Sequence, residues 1–230
     1  IIRDIKNLLN NKSLGNIENI ELSMPQQSLT NEKIKNAKKW RLKDSKVPTI
    51  QLDLGVHLLI ILKFIYPTIK IKKIISHHQS FKYKKLVHTI ISWFEFNSGG
   101  ICKVSITKND IGQRNSLFIK INGSQGSLEW SHNEPENLIM YKKSGKKLIL
   151  DRNDKELKIS KQKRYNRYSV GHPYGFIESM ANYYQDIYEQ IKFKDKISKR
   201  NLISINDESF AMKILEKSYK SNLIKKWIDA

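Results

Sequence analysis

Seven strand-like stretches follow one another between residues 69 and 151, and their close spacing constrains the fold more than any other feature of the sequence. Each concentrates or alternates apolar residues, and short polar turns separate them. Because strands joined by short turns run in opposite directions, this region predicts a largely antiparallel sheet. The stretches are 69–76, 88–97, 101–108, 116–121, 127–131, 137–141 and 147–151.

Helical patterns flank this strand-rich region. Apolar residues recur at helical spacing over 3–11, and residues 53–65 predict a largely apolar, mostly buried helix. Two further helices are predicted at 176–192 and 210–219, and two further strands at 19–24 and 227–228. The helix at 176–192 carries a broad apolar stripe, which predicts core packing and comprises Phe176, Ile177, Met180, Ala181, Tyr184, Ile187, Tyr188 and Ile191. We expect an α+β fold, a largely antiparallel twisted sheet with helices on one face.

The charge of the chain raises the question of nucleic-acid binding. The sequence has 42 Lys and Arg against 22 Asp and Glu, a formal net charge of +20, and clustered cations neutralise phosphates. However, 35 of the basic residues are lysines spread evenly along the chain, and the arginine fork that reads phosphates and bases is scarce. We therefore predict solvated surface lysines and no nucleic-acid partner. A basic surface for an anionic substrate is the alternative.

Cysteine content and hydropathy limit the classes of protein to which this chain can belong. The single cysteine, Cys102, excludes an internal disulfide and a cysteine-based zinc cluster. The longest apolar run, 54–66, contains His57 and Lys63 and is too short to span a bilayer. No signal peptide is visible, so we expect a cytoplasmic protein without membrane contact. The chain begins with Ile1 rather than Met, which predicts a piece of a longer chain.

The segment most suggestive of chemistry is PTIQLDLGVH at 48–57. Asp53 and His57 are four residues apart, a spacing that places both side chains on one face of an α-helix. A carboxylate beside an imidazole orients it and raises its basicity, as a general base requires. The same spacing fits a capping aspartate with a structural histidine, so both interpretations stay open. A zinc site needs a third ligand, and no further histidine stands at a suggestive spacing, so we predict no metal.

Several segments, in a fixed order along nearly the whole chain, resemble one family. They are LGNI at 14–17, SMPQ at 23–26, KWRLKD at 39–44, PTIQLDLGVH at 48–57, NGSQGSLEW at 122–130, GHPYGFIE at 171–178 and ANYYQDI at 181–187. Together they resemble the C-terminal domain of the glucose–fructose oxidoreductase / inositol dehydrogenase (Gfo/Idh/MocA) family. The form of the 48–57 segment resembles a branch met in cell-surface polysaccharide pathways.

The resemblance implies that residues 1–230 are a C-terminal substrate-binding and oligomerisation domain of an NAD- or NADP-dependent enzyme. Its substrate would be a sugar, sugar derivative or cyclitol, and the chain would form a homo-oligomer through its sheet. His57 would take the proton of the substrate hydroxyl, and Asp53 would orient His57 and balance its charge. By the same resemblance, Trp40 and Arg41 lie near the cofactor and His172 and Asn115 near the substrate.

Two departures from the family pattern affect activity. No Gly-x-Gly-x-x-Gly follows a strand, so the dinucleotide fingerprint of an N-terminal Rossmann domain is absent from these residues. The Glu-Lys-Pro motif that supplies the family's catalytic lysine is absent as well. We therefore expect the 230 residues to be inactive alone. The alternative function is a non-catalytic binding or scaffold domain that kept the fold, which would not need Asp53 and His57 together.

Overall fold

A single nine-stranded sheet organises the chain in the computed structural model, which describes residues 1–30, 39–80 and 86–230. The strand order is β8-β7-β6-β5-β1-β4-β3-β2-β9. Neighbouring strands are antiparallel except β1 and β4, which pair in parallel. The strands are β1 (Ile17–Pro25), β2 (Ile71–Gln79), β3 (Thr89–Phe96), β4 (Ile101–Thr107), β5 (Phe118–Gly123), β6 (Gly126–Ser131), β7 (Leu138–Lys142), β8 (Lys147–Leu150) and β9 (Ile228–Asp229). The predicted, largely antiparallel sheet is confirmed.

The helices are α1 (Ile2–Asn10), α2 (Val56–Ile65), α3 (Phe176–Phe193), α4 (Lys196–Asn201) and α5 (Ile205–Ile224). A π-helical turn, Gln51–Gly55, leads directly into α2, and a short 3₁₀ turn covers Lys39–Leu42. The predicted helix at 53–65 therefore exists, but its first turn is wider than an α-helical one. The predicted helix at 210–219 extends at both ends to form α5. The predicted α+β class is confirmed.

The two faces of the sheet differ sharply. On the covered face, alternate residues such as Ile20 and Leu22 of β1 are buried and form one core with α1, α2 and α5. On the open face, ion pairs join neighbouring strands: Lys103 to Glu21 at 2.8 Å, Lys120 to Glu129 at 2.7 Å and Lys72 to Glu95 at 3.0 Å. Ile91 and Trp93 lie among these pairs and are each 37% exposed.

The orientation of α3 contradicts the sequence prediction. The apolar stripe that we expected in the core faces outward, and its first residues, Phe176 and Ile177, are 76% and 79% exposed. The buried positions of α3 are instead Asn182 and Asp186. Asp186 accepts hydrogen bonds from Arg3 and forms a 2.9 Å ion pair with Arg164. Because arginines on the neighbouring segments satisfy the polar face, that face turns inward and the stripe is left outside.

We predict a pH-dependent contribution of His78 to stability. Its Nε2 lies 3.1 Å from the Ser76 hydroxyl, and burial, aided by Lys225 and His77, lowers its pKa from 6.5 to about 4. The folded state thus favours the neutral ring, and between pH 6.5 and about 4 the unfolded chain binds a proton that the folded chain does not. The free energy of unfolding therefore has its full value, as far as His78 is concerned, above pH 6.5 and decreases as the pH falls toward 4. In urea titrations, the free energy of unfolding of the wild type should decrease over that pH range. The His78→Gln variant should lose part of this pH dependence. A pH dependence of His78→Gln equal to that of wild type would contradict the prediction.

Candidate active site

The candidate site is built around the π-helical turn that carries Asp53. Pro48 precedes the turn, and its carbonyl accepts the backbone N–H of Gln51 at 2.9 Å. The Asp44 carboxylate fixes this entry, because it accepts the N–H of Thr49 at 2.8 Å and that of Val87 at 2.7 Å. The turn is therefore tied both to the preceding loop and to the segment that leads into β3.

Asp53 is held by two cations. Arg41 donates from Nε and Nη2 to the two carboxylate oxygens at 3.0 and 2.9 Å, and the ammonium of Lys108 donates to Oδ2. Lys108 follows β4 directly and is buried. Burial alone would raise the pKa of Asp53, but the hydrogen bonds and charges of Arg41 and Lys108 outweigh it and lower the pKa. Asp53 is thus a fixed anion at neutral pH.

Lys108 is the site residue that the sequence reasoning missed. A signal for it exists in the period-2 pattern of β4, where Cys102, Val104 and Ile106 are all buried. The next residue in that register is Lys108, so the pattern aims a lysine at the covered face. A buried lysine requires an anionic partner, and the structure supplies Asp53.

His57 lies in the first turn of α2 and is exposed. Among the described residues, the carboxylate of Asp53 bonds to Arg41 and Lys108, and no hydrogen bond joins it to His57. The predicted direct pairing assumed a regular α-helix, whereas the turn over Gln51–Gly55 is π-helical and rotates Asp53 relative to α2. The two residues remain neighbours in the chain at the start of one helix.

A cavity of about 470 Å³ adjoins the helix that carries His57. Ile60, Ile61 and Phe64 line it, and these positions share one face of α2 with His57. The lining also includes Trp130 and the buried guanidinium of Arg152, which pairs with Glu136. Its lining combines apolar surface with a few polar groups, as ligand cavities commonly do.

Trp40 and Arg41 form a stacked pair beside Asp53. Both lie in the 3₁₀ turn, with the guanidinium carbon of Arg41 located 4.4 Å from the centre of the indole ring. The indole is 50% exposed, while the guanidinium is held by Asp53. The arrangement offers an exposed flat ring at the rim of the candidate site.

Asn115 lies at the same sheet edge as Lys108. Gln26 follows β1, and its N–H donates to the carbonyl of Thr107 at 2.8 Å, so the ends of the parallel strands β1 and β4 meet there. The side chain of Gln26 donates to the amide oxygen of Asn115, which has a positive φ of 58°. This end of the sheet thus carries the amides of Gln26 and Asn115 as well as Lys108, which pairs with Asp53.

His172 lies apart from that edge, in the loop before α3. It is exposed, its Nδ1 lies 3.1 Å from the carbonyl of Ser169, and its own carbonyl accepts from Arg152 at 2.9 Å. Tyr174 and Gly175, which follow in the same loop, line the cavity. The described residues place no hydrogen bond between His172 and the Asp53 cluster.

The described parts of the chain show neither a metal-ligand cluster nor a membrane-spanning helix. Within 1–30, 39–80 and 86–230, no group of three or more His, Cys, Asp or Glu side chains lies close enough to hold a metal ion. None of the helices described there is long and apolar enough to cross a membrane.

Residues 6–209 match the model of the oxidoreductase family C-terminal alpha/beta domain, GFO_IDH_MocA. The chain belongs to this family. The resemblance drawn from the sequence motifs is therefore confirmed. No match was found among curated protein sequences.

Solved structures with the same fold extend the comparison. An inositol dehydrogenase homolog from Azotobacter vinelandii, complexed with NADH and myo-inositol, has a TM-score of 0.86 and 21% identity. It aligns with 100% of this oxidoreductase-family chain and 61% of its own length. An oxidoreductase from Pseudomonas syringae has a TM-score of 0.81 and 20% identity over 99% of this chain and 60% of its own. A levoglucosan dehydrogenase in complex with NADH and L-sorbose has a TM-score of 0.75 and 13% identity over 98% and 61%. The chain thus spans about three fifths of the structures that it matches.

We predict that removing the charge of Asp53 destabilises the domain through Lys108. The Asp53→Asn variant leaves a buried ammonium without its anion, which should lower the free energy of unfolding by about 3 kcal/mol in urea titrations. Replacing the lysine as well, in Asp53→Asn/Lys108→Met, should recover much of that loss. The matched control is Glu21→Gln, which unpairs the partly exposed Lys103 and should cost under about 1 kcal/mol. Similar losses in the two single variants would refute the buried-charge explanation.

Proposed function

We propose that residues 1–230 form the substrate-binding and oligomerisation domain of an NAD- or NADP-dependent dehydrogenase. Its substrate would be a hydroxyl of a sugar, a sugar derivative or a cyclitol. The observation that carries this proposal is the Asp53 carboxylate, held as an anion by Arg41 and buried Lys108 directly before exposed His57. Membership of an oxidoreductase family supports it, as do fold neighbours complexed with NADH and with myo-inositol or levoglucosan.

The chemistry assigned to this chain is proton transfer. His57 accepts the proton of the substrate hydroxyl, the O–H electrons form the carbonyl bond, and the carbon releases hydride. Asp53 stays ionised during this step, so it stabilises the positive charge that forms on the imidazole and accepts a hydrogen bond from a neighbouring substrate hydroxyl. Asn115 and His172 are proposed to contact further hydroxyl groups of the substrate.

Trp40 and Arg41 fit the rim of a dinucleotide site. An exposed indole ring suits stacking on a flat heterocycle, and the adjacent guanidinium provides positive charge. The bound dinucleotide supplies the hydride acceptor for the reaction. Because these two residues contact only one edge of such a molecule, we propose that residues 1–230 do not turn over substrate on their own.

The wider setting of the enzyme is also a proposal. The PTIQLDLGVH form of the site segment supports a place in cell-surface polysaccharide synthesis. A single, buried cysteine suits a reducing compartment, so we place the enzyme in the cytoplasm. Evenly distributed lysines account for the charge without a nucleic-acid partner.

Replacing His57 tests the catalytic proposal. In the full chain, meaning residues 1–230 together with the dinucleotide-binding domain of the proposed enzyme, His57→Ala should lower kcat for NAD- or NADP-linked oxidation of a polyol or sugar by about 100-fold or more, because the proton acceptor is lost. Exposed His77 on β2 provides the control, and His77→Ala should keep wild-type turnover. Unchanged turnover in His57→Ala would favour the non-catalytic scaffold instead.

The open face of the sheet is the proposed surface for homo-oligomer assembly. Trp93 and Ile91 provide exposed apolar area there, and the ion pairs around them provide polar groups for a rim. A sheet face with this composition suits contact with a second copy of itself.

Sedimentation of charged variants tests this assembly surface. Trp93→Lys should shift the full chain toward smaller species, because it places a cation in the centre of the interface. Leu223→Lys places the same charge at an exposed apolar residue of α5, on the covered side of the sheet, and should leave the assembly intact. If Ile191→Lys on α3 dissociates the assembly and Trp93→Lys does not, the interface is formed by the apolar stripe of α3 and not by the open face of the sheet.

A further inference from the structure

Helix α5 contacts the π-helical turn at two points one helical turn apart. The side-chain amide of Gln51 donates to the hydroxyl of Ser218 at 2.9 Å. At the other end of the turn, Gly55 packs so closely that an added Cβ would lie 3.1 Å from Cδ2 of Leu215. Leu215 and Ser218 are three residues apart and share one face of α5. The turn that carries Asp53 therefore rests on the C-terminal helix.

Three buried hydroxyls anchor that contact in the core. Ser76 of β2, Ser92 of β3 and Ser218 of α5, here called the serine triangle, lie within hydrogen-bond distance of one another. Ser76 and Ser92 are 2.8 Å apart, Ser92 and Ser218 3.1 Å, and Ser218 and Ser76 2.8 Å. Gln51 thus bonds to a hydroxyl that two strands and a helix hold in place.

The Gln51 amide has one anchoring bond. Gln51 is buried, and among the described residues its Oε1 atom has no hydrogen-bond partner. The bond from Nε2 to Ser218 is then the contact that fixes the amide. Losing it would leave a second buried polar atom unsatisfied, which is costly in a low-dielectric interior.

The geometry of the π-helical turn explains why an anchor is needed. A π-helical turn has i→i+5 hydrogen bonds and is rare because an α-helical turn is more stable. Relaxation to an α-helical turn removes one residue from the turn and rotates Asp53 by roughly 100° relative to its present direction. Arg41 and Lys108 bond to the carboxylate of Asp53, and Ser218 bonds to the side-chain amide of Gln51 at the start of the same turn.

We propose that Gln51 and Ser218 are positioning residues for Asp53, and that α5 thereby sets the geometry of the candidate active site. The placement of Asp53 follows from the contacts alone, whereas its effect on turnover rests on the proposed function. Neither residue touches the substrate in this proposal, since both act through the turn.

The test compares two serines on the same helix. Ser218→Ala and Gln51→Met each remove the anchoring bond in the full chain. Ser221→Ala is the matched control, because Ser221 is equally buried one turn further along α5 but bonds to the N–H of Ser76 and the carbonyl of Lys226. Two quantities are measured: kcat and KM with a polyol and NAD or NADP, and the pKa of Asp53 from carboxyl-carbon NMR, assigned with Asp53→Asn.

Loss of the anchor should raise the pKa of Asp53 toward its ordinary value and lower kcat by about 10- to 100-fold, with a smaller change in KM. Both anchor variants should change kcat and the pKa of Asp53 alike, and combining them should add little to either, because they share the bond that reaches the turn. Ser218→Ala also breaks the bonds to Ser76 and Ser92, so it should cost additional stability. Ser221→Ala should change neither quantity even if it lowers stability. Equal effects of Ser218→Ala and Ser221→Ala, or an unchanged pKa of Asp53 in both anchor variants, would overturn the proposal.

The NMR readout keeps this proposal separable from the proposed function. If the full wild-type chain with its dinucleotide-binding domain oxidises no polyol or sugar, but the pKa of Asp53 still rises in both anchor variants, the positioning proposal holds and the dehydrogenase proposal fails. If wild type turns over and the anchor variants keep its kcat and its Asp53 pKa, the positioning fails and the dehydrogenase proposal stands.

Discussion

The parallel pairing of β1 with β4 is the constraint on which the rest of the architecture depends. Two parallel neighbours cannot be joined by a hairpin, so the chain between them must cross over one face of the sheet. The crossover contains α2 and the hairpin of β2 and β3, and it places the π-helical turn above the ends of the two parallel strands. Lys108 leaves the end of β4 and pairs with Asp53, and Gln26 leaves the adjacent end of β1 and bonds to Thr107, so the topology places the charged cluster at this end of the sheet.

The charged cluster of Asp53, Arg41 and Lys108 gives the site a defined geometry at a cost in folding free energy. Burying the ammonium of Lys108 is unfavourable, and the carboxylate of Asp53 compensates it. Arg41 completes the cluster from the 3₁₀ turn, in which Trp40 and Leu42 are exposed. A carboxylate fixed by two cations does not readily exchange a proton, which is why the proposed mechanism assigns proton transfer to exposed His57, outside that ion-pair network.

The strands could be predicted from the sequence because alternation is a local signal, and the ordered motifs predicted the family and drew attention to the segment 48–57 that carries Asp53. Each predicted strand between 69 and 151 corresponds to an observed one within a few residues. The π-helical turn could not be predicted, since no residue type encodes it and its anchor, Ser218, is distant in the sequence. Periodicity also identified the stripe of α3, but which face turns inward depended on Asp186 meeting arginines from elsewhere in the chain.

The strand order also has a consequence for the sequence of events during folding. Strands β5 to β8 form a meander whose contacts are local, so they can pair as soon as each hairpin exists. β1 is made before them, yet both of its partners, β4 and β5, lie about eighty or more residues downstream, and such non-local pairings form slowly. During synthesis, β1, the central strand of the sheet, therefore has unpaired backbone N–H and C=O groups on both edges until β4 and β5 have been made. On the nascent chain it is the strand most in need of protection from aggregation.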